Sequence, residues 1–255
     1  MTLPLADSQD TPRNIKLTIA YDGTAYHGFQ RQKNALTVQE VLENCLERLC
    51  RHKVSVAGAG RTDTGVHAYG QVVNFFTYTR IPGERIAPAL KGLLPPDIVV
   101  KRAEEVGQQF HARFSAQSKV YVYRIYQQET ADPFLRHYAW HIRHKLNVEA
   151  IHSALQVVVG THDFSAFQAA GGPRRDPVKT ILSAACRREE SILELSFWGT
   201  GFLYHMVRNL VGTLIEVGMD KLSKADFSCI LAGGDRTKAG MTAPPQGLYL
   251  KEIFY

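Results

Sequence analysis

The chain has 255 residues, 45% of them hydrophobic and 21% charged, proportions that exclude an intrinsically disordered segment and suit one large or two modest folded domains. Thirty Lys and Arg against 24 Asp and Glu leave a formal charge of +6, which favours a polyanionic partner. Cys45, Cys50, Cys186 and Cys229 form no Cys-x-x-Cys pair, so neither a disulfide framework nor a zinc ribbon is expected. The opening MTLPLADSQDTPR has no basic and apolar leader pattern, and no run of about 18 uncharged apolar residues occurs. A cytoplasmic protein with no membrane segment is the expectation.

In chain order, residues 1–12 read as a flexible extension, with two prolines and several small polar residues. Ile15, Leu17 and Ile19 alternate with polar neighbours and predict a strand. Thr37, three residues before Glu40, has capping-box spacing, and Val38, Val41, Leu42, Cys45, Leu46 and Leu49 follow at helical intervals. Strands are predicted at 54–59 and 71–79, a helix at 85–94 stopped by Pro95-Pro96, and a strand at 98–106. The second half opens on a strand, KVYVYRIY (119–126). A helix at 148–159, strands at 180–188 and 192–197, helices at 203–217 and 224–231, and a strand at 248–254 follow. Each half thus has the split β-α-β order of ferredoxin-like sheets. The fold class expected is α+β, two similar ferredoxin-like subdomains with mixed, mainly antiparallel sheets, divided as 13–114 and 115–255.

The most unusual stretch is VAGAGRTDTGVHAYGQVVNF, where Gly58, Gly60, Gly65 and Gly70 surround the charged pair Arg61 and Asp63. Glycines at this density let backbone approach a ligand closely. Neither a dinucleotide fingerprint nor a P-loop fits the spacing. Two readings of Asp63 fit: an Asx-turn between strands with Arg61 as surface partner, or a functional carboxylate. His137, His141 and His144 would share one helix face and could hold zinc, but Pro133, Tyr138, Trp140 and Ile142 read as extended, and no metal site is expected. His67 reads as shaping its loop and His205 as a bonded residue at a helix face.

That glycine-rich stretch, with FHARFSA (110–116), KVYVYRIY, GTHDFSAF (160–167) and GFLYHMVRNLVGTL (201–214), resembles the TruA family of tRNA pseudouridine synthases over most of the chain. The departures are Phe29, where the family more often has Trp, and the N-terminal extension. The resemblance implies the pseudouridine synthase fold and no cofactor or metal. It implies uridine isomerisation on the 3′ side of the tRNA anticodon stem-loop, at positions 38, 39 and 40, by a homodimer. It places Asp63 as the catalytic carboxylate, Tyr121 against the target base, and Arg208, with Arg61, in support of the carboxylate. Phe110, His111, Arg113, Phe114, Arg174 and Arg175 are expected RNA contacts.

The residue types suit that chemistry. Glycosidases use two carboxylates because their leaving group needs a proton, whereas uracil departs as a delocalised anion, so one carboxylate can suffice. An arginine beside it would favour the anion by coulombic attraction. Tyr121 offers an aromatic face to a flipped base and a phenol for the C5 proton. Between Val106 and Val148, Arg113, Lys119, Arg124, Arg136, Arg143 and Lys145 stand against two acids, with aromatics interleaved, as a phosphate-gripping stripe would be. The same stripe fits a solvated basic face, and the whole pattern also fits a non-catalytic RNA-binding module.

Overall fold

A computed structural model describes residues 11–172 and 176–255, so most of the expected N-terminal extension and the pair Arg174-Arg175 lie outside the described residues. In chain order the elements are β1 (Arg13–Tyr21), α1 (Val38–Cys50), β2 (Ala57–Gly58), β3 (His67–Thr77), α2 (Gly83–Lys91) and β4 (Ile98–Val106). They continue with β5 (Ser118–Gln127), β6 (Trp140–Ile142), α3 (Val148–Leu155), β7 (Gly160–Asp163), β8 (Val178–Glu189), β9 (Ile192–Gly199), α4 (Met206–Gly218), α5 (Lys224–Gly233) and β10 (Leu248–Phe254).

All ten strands belong to one mixed, mainly antiparallel sheet of order β4-β1-β3-β10-β5-β9-β8-β7, with β2 on β3 and β6 on β5. The first half pairs as β4-β1-β3-β2 and the second as β10-β5-β9-β8, the same spatial order of first, second, third and fourth strands in each. The α+β expectation and its ferredoxin-like topology are therefore observed. The halves meet where β10 runs parallel to β3, Tyr249 opposite His67 and Leu250 opposite Ala68. Further along the same edge of β3, β2 pairs with Val73 and Asn74, and the 59–66 loop leaves the sheet between these two contacts.

Local sequence explains most boundaries. Thr37 caps α1 by accepting from the Glu40 amide, and Leu42 and Leu46 are fully buried on its inner face with Leu17 and Ile19 of β1. Burying each such leucine stabilises the fold by roughly 1.5 to 3 kcal/mol. In the second half Leu193, Leu195 and Phe197 of β9 meet Leu210 and Leu214 of α4 in the shared core.

Several boundaries differ from those expected, four of them with a clear local cause. The 54–59 strand shrinks to Ala57–Gly58, because the Val56 amide donates to Glu43 Oε1 at 3.0 Å instead of to a neighbouring strand. The strand expected at 71–79 begins earlier, at His67, where β10 supplies a partner. The second helix spans Gly83–Lys91, tolerates Pro88, and closes with Leu93 and Leu94 both donating to Leu90 O before the prolines. The helix expected from Leu203 starts at Met206, since His205 has left-handed backbone at φ 58 and ψ 6. The extended reading of 133–142 holds at β6, where His141 Nε2 bonds Gln128 O at 2.8 Å.

Candidate active site

The loop between β2 and β3 is pinned immediately ahead of Asp63. Gln71, fully buried, accepts from the Gly60 amide at 3.3 Å and donates to its carbonyl at 2.7 Å. The Tyr21 hydroxyl meets Thr62 Oγ1 at 2.7 Å, and the Phe29 amide donates to Thr62 O at 3.1 Å. Gly58 is glycine because the Phe29 ring lies against it; a Cβ there would stand 2.3 Å from a ring carbon. That close approach serves a protein aromatic, which differs from the ligand approach expected of these glycines.

The second half supplies the partners of the carboxylate. From the first turn of α4, Arg208 NH1 donates to Asp63 Oδ2 at 3.1 Å, and His205 Nε2 lies 3.2 Å from the same oxygen. Arg208 is aimed by its Nε, which donates to Ala243 O at 2.7 Å. The 239–243 segment is in turn laced to α4: Thr242 Oγ1 to Asn209 Oδ1 at 2.6 Å, the Gly240 amide to Thr213 Oγ1 at 3.0 Å, and the Ala243 amide to Arg208 O at 3.1 Å. Asp63 is therefore not the surface partner of Arg61, whose side chain makes no hydrogen bond or ion pair with the described residues.

Asp63 opens onto a cleft of about 1030 Å³. Its lining carries Arg61, Arg113, Lys119, Lys179 and Arg208, and among the described residues Asp63 is its one carboxylate. Such a basic concave surface focuses potential onto an anionic chain. Tyr121 lines the cleft beside the pinned loop, nearly buried, its ring edge-to-face with Phe202 at 4.9 Å between centroids. Burial, with lesser contributions from Tyr21 and Asp63, pushes its phenol well above the ordinary tyrosine value. Burial, together with Arg208 and Arg236, holds His205 below its ordinary value, against an opposing pull from Asp63.

Asp63, Tyr121, Arg208 and Arg61 thus share one cleft, as do Arg113 and Phe114, the latter 76% exposed. His111 packs against Phe114 with ring centroids 4.4 Å apart and accepts from the Arg113 amide, positioning that turn without itself lining the cleft. Phe110 packs on Tyr255 at 4.9 Å with Lys16 above it, away from the cleft lining. The expected basic stripe divides: Arg113 and Lys119 line the cleft, while Arg124 pairs with Glu194 and Arg143 with Glu129. Sequence reasoning did not pick out Lys179, Tyr21 or Gln71, and it gave His205 no contact with the carboxylate. Tyr21, Gln71 and His205 act through residues distant in the chain, and Lys179 reaches the cleft from β8 without a motif of its own. Among the described residues no group of three or more His, Cys, Asp or Glu is arranged to hold a metal ion, and no helix is long and apolar enough to cross a membrane.

Two repeated sheet halves that contribute opposite walls of one basic cleft belong to the pseudouridine synthase fold. The family model described as tRNA pseudouridine synthase matches residues 17–115 and 154–255. The chain is 48% identical over 243 residues to tRNA pseudouridine synthase A of Acetivibrio thermocellus, covering 95% of this chain and 100% of that protein. It is 50% identical over 244 residues to the protein of the same name from Ruminiclostridium cellulolyticum, at the same coverage, and 46% identical over 245 residues to that of Geobacillus kaustophilus, covering 95% of each. The chain belongs to the tRNA pseudouridine synthase family, and is an isomerase whose substrate is tRNA.

Proposed function

We propose that Asp63 is the catalytic carboxylate, and that the enzyme isomerises uridines 38, 39 and 40 on the 3′ side of the anticodon stem-loop, as a cytoplasmic homodimer. The observation that carries the catalytic assignment is the pairing of Asp63 Oδ2 with Arg208 NH1 at 3.1 Å inside a basic cleft whose lining holds no second described carboxylate. The target positions are supported by the resemblance of GRTDTGVHA and YHMVRN to the TruA family.

The reaction breaks the bond from C1′ to N1, turns the uracil and joins C1′ to C5; C5 then gives up its proton and N1 takes one up, so atoms and electrons are conserved. In one route an Asp63 oxygen bonds C1′ as the N1 electron pair leaves with uracil, and C5 later displaces the carboxylate. In the other, Asp63 takes the C2′ proton as uracil departs, leaving a glycal to which the C2′ proton returns when C5 adds to C1′. Both need an anionic carboxylate held still, which Arg208 and its Ala243 anchor supply. Tyr121, neutral at physiological pH, offers the flipped base an aromatic face and a hydroxyl.

Asp63→Asn tests the reading on one preparation. Asn is nearly isosteric and its amide oxygen still accepts a hydrogen bond from Arg208, yet it neither attacks C1′ nor accepts the C2′ proton. Melting and tRNA affinity should persist, since phosphate contacts lie elsewhere, while tritium release from C5-labelled uridine disappears. Turnover near the wild-type rate would refute the assignment. Transcripts carrying cytidine at 38, 39 or 40 locate the targets, and product that survives replacement of all three would refute them.

A further inference from the structure

We infer that His205 is a positioning residue for the reaction: with Arg208 it occupies Oδ2 of Asp63, so that Oδ1 is the oxygen presented to the nucleoside. The inference rests on the catalytic reading of Asp63. Two side chains from one helical turn converge on a single carboxylate oxygen, His205 Nε2 at 3.2 Å and Arg208 NH1 at 3.1 Å. No hydrogen bond from the described residues falls on Oδ1. A carboxylate bonded at one oxygen by Arg208 and braced at the same oxygen by the imidazole is restricted in rotation, and its other oxygen is left to react.

The backbone is bent to make this possible. His205 stands at φ 58 and ψ 6 immediately before α4, a left-handed conformation that is unfavourable for a residue with a Cβ. Its side chain does not cap the helix, the usual reward at such a position, and its ring instead lies on Tyr204 at 3.9 Å and 28°. The strain is thus spent on placing an imidazole against Asp63.

Charge decides when the placement works. The groups facing the ring are Asp63 from the β2–β3 loop, Arg208 from α4, Arg236 from the 3-10 turn at Arg236–Lys238, and Tyr204 beside it. Burial and the two guanidinium groups favour the uncharged ring. Acidification places a second positive charge on the Oδ2 side of Asp63, which draws the carboxylate toward Arg208 and His205 and weakens it as nucleophile or base. Activity should therefore fall on the acid side as His205 gains its proton, below its ordinary value of 6.5.

The test is single-turnover conversion of saturating tRNA between pH 5 and 8 by the full-length enzyme, its His205→Asn and His205→Gly variants, and Asp63→Asn. Asn and Gly both accept left-handed backbone, so each keeps the turn and removes the imidazole. The wild-type rate should decline on the acid side with a midpoint below 6.5. Both variants should be slower at pH 8 by at least about tenfold, bind tRNA as the wild type does, and lack the decline. A decline that persists in either variant, or a rate that is not slowed, overturns the inference. NMR titration of the His205 ring provides a second measurement that needs neither variant: its midpoint should drop in Asp63→Asn, and an unmoved midpoint overturns the contact. Turnover retained by Asp63→Asn would instead fell the catalytic reading, whereas an inert Asp63→Asn beside a persistent acid decline fells only the role of His205.

Discussion

Gly212 lies at the middle of α4, one helical turn past Arg208, and touches no substrate. A Cβ at this position would stand 1.7 Å from Met241 O, so Gly212→Ala forces that carbonyl to withdraw by at least about 1.3 Å to reach a tolerable contact. The segment it belongs to is tied to α4 through Gly240, Thr242 and Ala243, and the Ala243 carbonyl holds Arg208 Nε at 2.7 Å. Loosening these bonds costs roughly 1 kcal/mol each, overpacking adds about 1 to 3 kcal/mol, and better helix propensity returns about 1 kcal/mol. The net loss is on the order of 4 to 6 kcal/mol, or about 8 to 24 °C in melting temperature for a chain of this size. Because the same displacement releases the anchor of Arg208, and misplacement by about 1 Å can cost 100-fold in rate, turnover should fall further than stability implies. Thermal melting, tRNA binding and tritium release at a temperature where the variant is folded separate the two effects. Gly233→Ala is the control, since a Cβ there meets nothing within 4 Å. A Gly212→Ala protein that melts and turns over like the wild type would refute the argument that this crossing aims Arg208.

Tyr121→Phe keeps the ring against Phe202 and removes the phenol. Affinity should stay within about twofold because base stacking, worth roughly 1 to 3 kcal/mol, is retained, whereas conversion of bound tRNA should slow by at least about tenfold. Equal rates would confine Tyr121 to stacking. Since burial raises its ionisation above the ordinary value, the phenol stays protonated and should impose no alkaline limb on the wild-type profile up to about pH 9. The lining cations predict tRNA affinity that falls steeply with salt, and Arg113→Ala with Lys179→Ala should lower the slope by roughly 1 to 2. An unchanged slope would remove both from the RNA interface.

The ends of β4 and β10 were legible to the residue because alternation there coincides with clear turn signals. The first helix was legible through Thr37 and its apolar spacing. What periodicity missed is set by partners far away in sequence. Val56 leaves the sheet because Glu43 claims its amide, and His67 enters it because β10 arrives beside it. The residues of the site were recognisable as a pattern resembling a family, yet their roles were not derivable from spacing: Asp63 and Arg208 are 145 residues apart. Nothing local marks His205 as left-handed, and its contact with Asp63 exists only once both halves are docked.

The strand latest in the sequence, β10, lies at the centre of the sheet, hydrogen-bonded to β3 of the first half on one side and to β5 of the second on the other. On a ribosome, the first half can form its own β4-β1-β3 layer early, with Asp63 already looped out, but no guanidinium faces that carboxylate until α4 has emerged. Even then the two walls of the cleft have no common strand until residues 248–254 slot between them. Long-range closure of this kind is slow relative to local folding. The cleft is therefore completed last: a partly synthesised copy can carry an intact GRTDTGVHA segment and still lack the strand that joins its two walls.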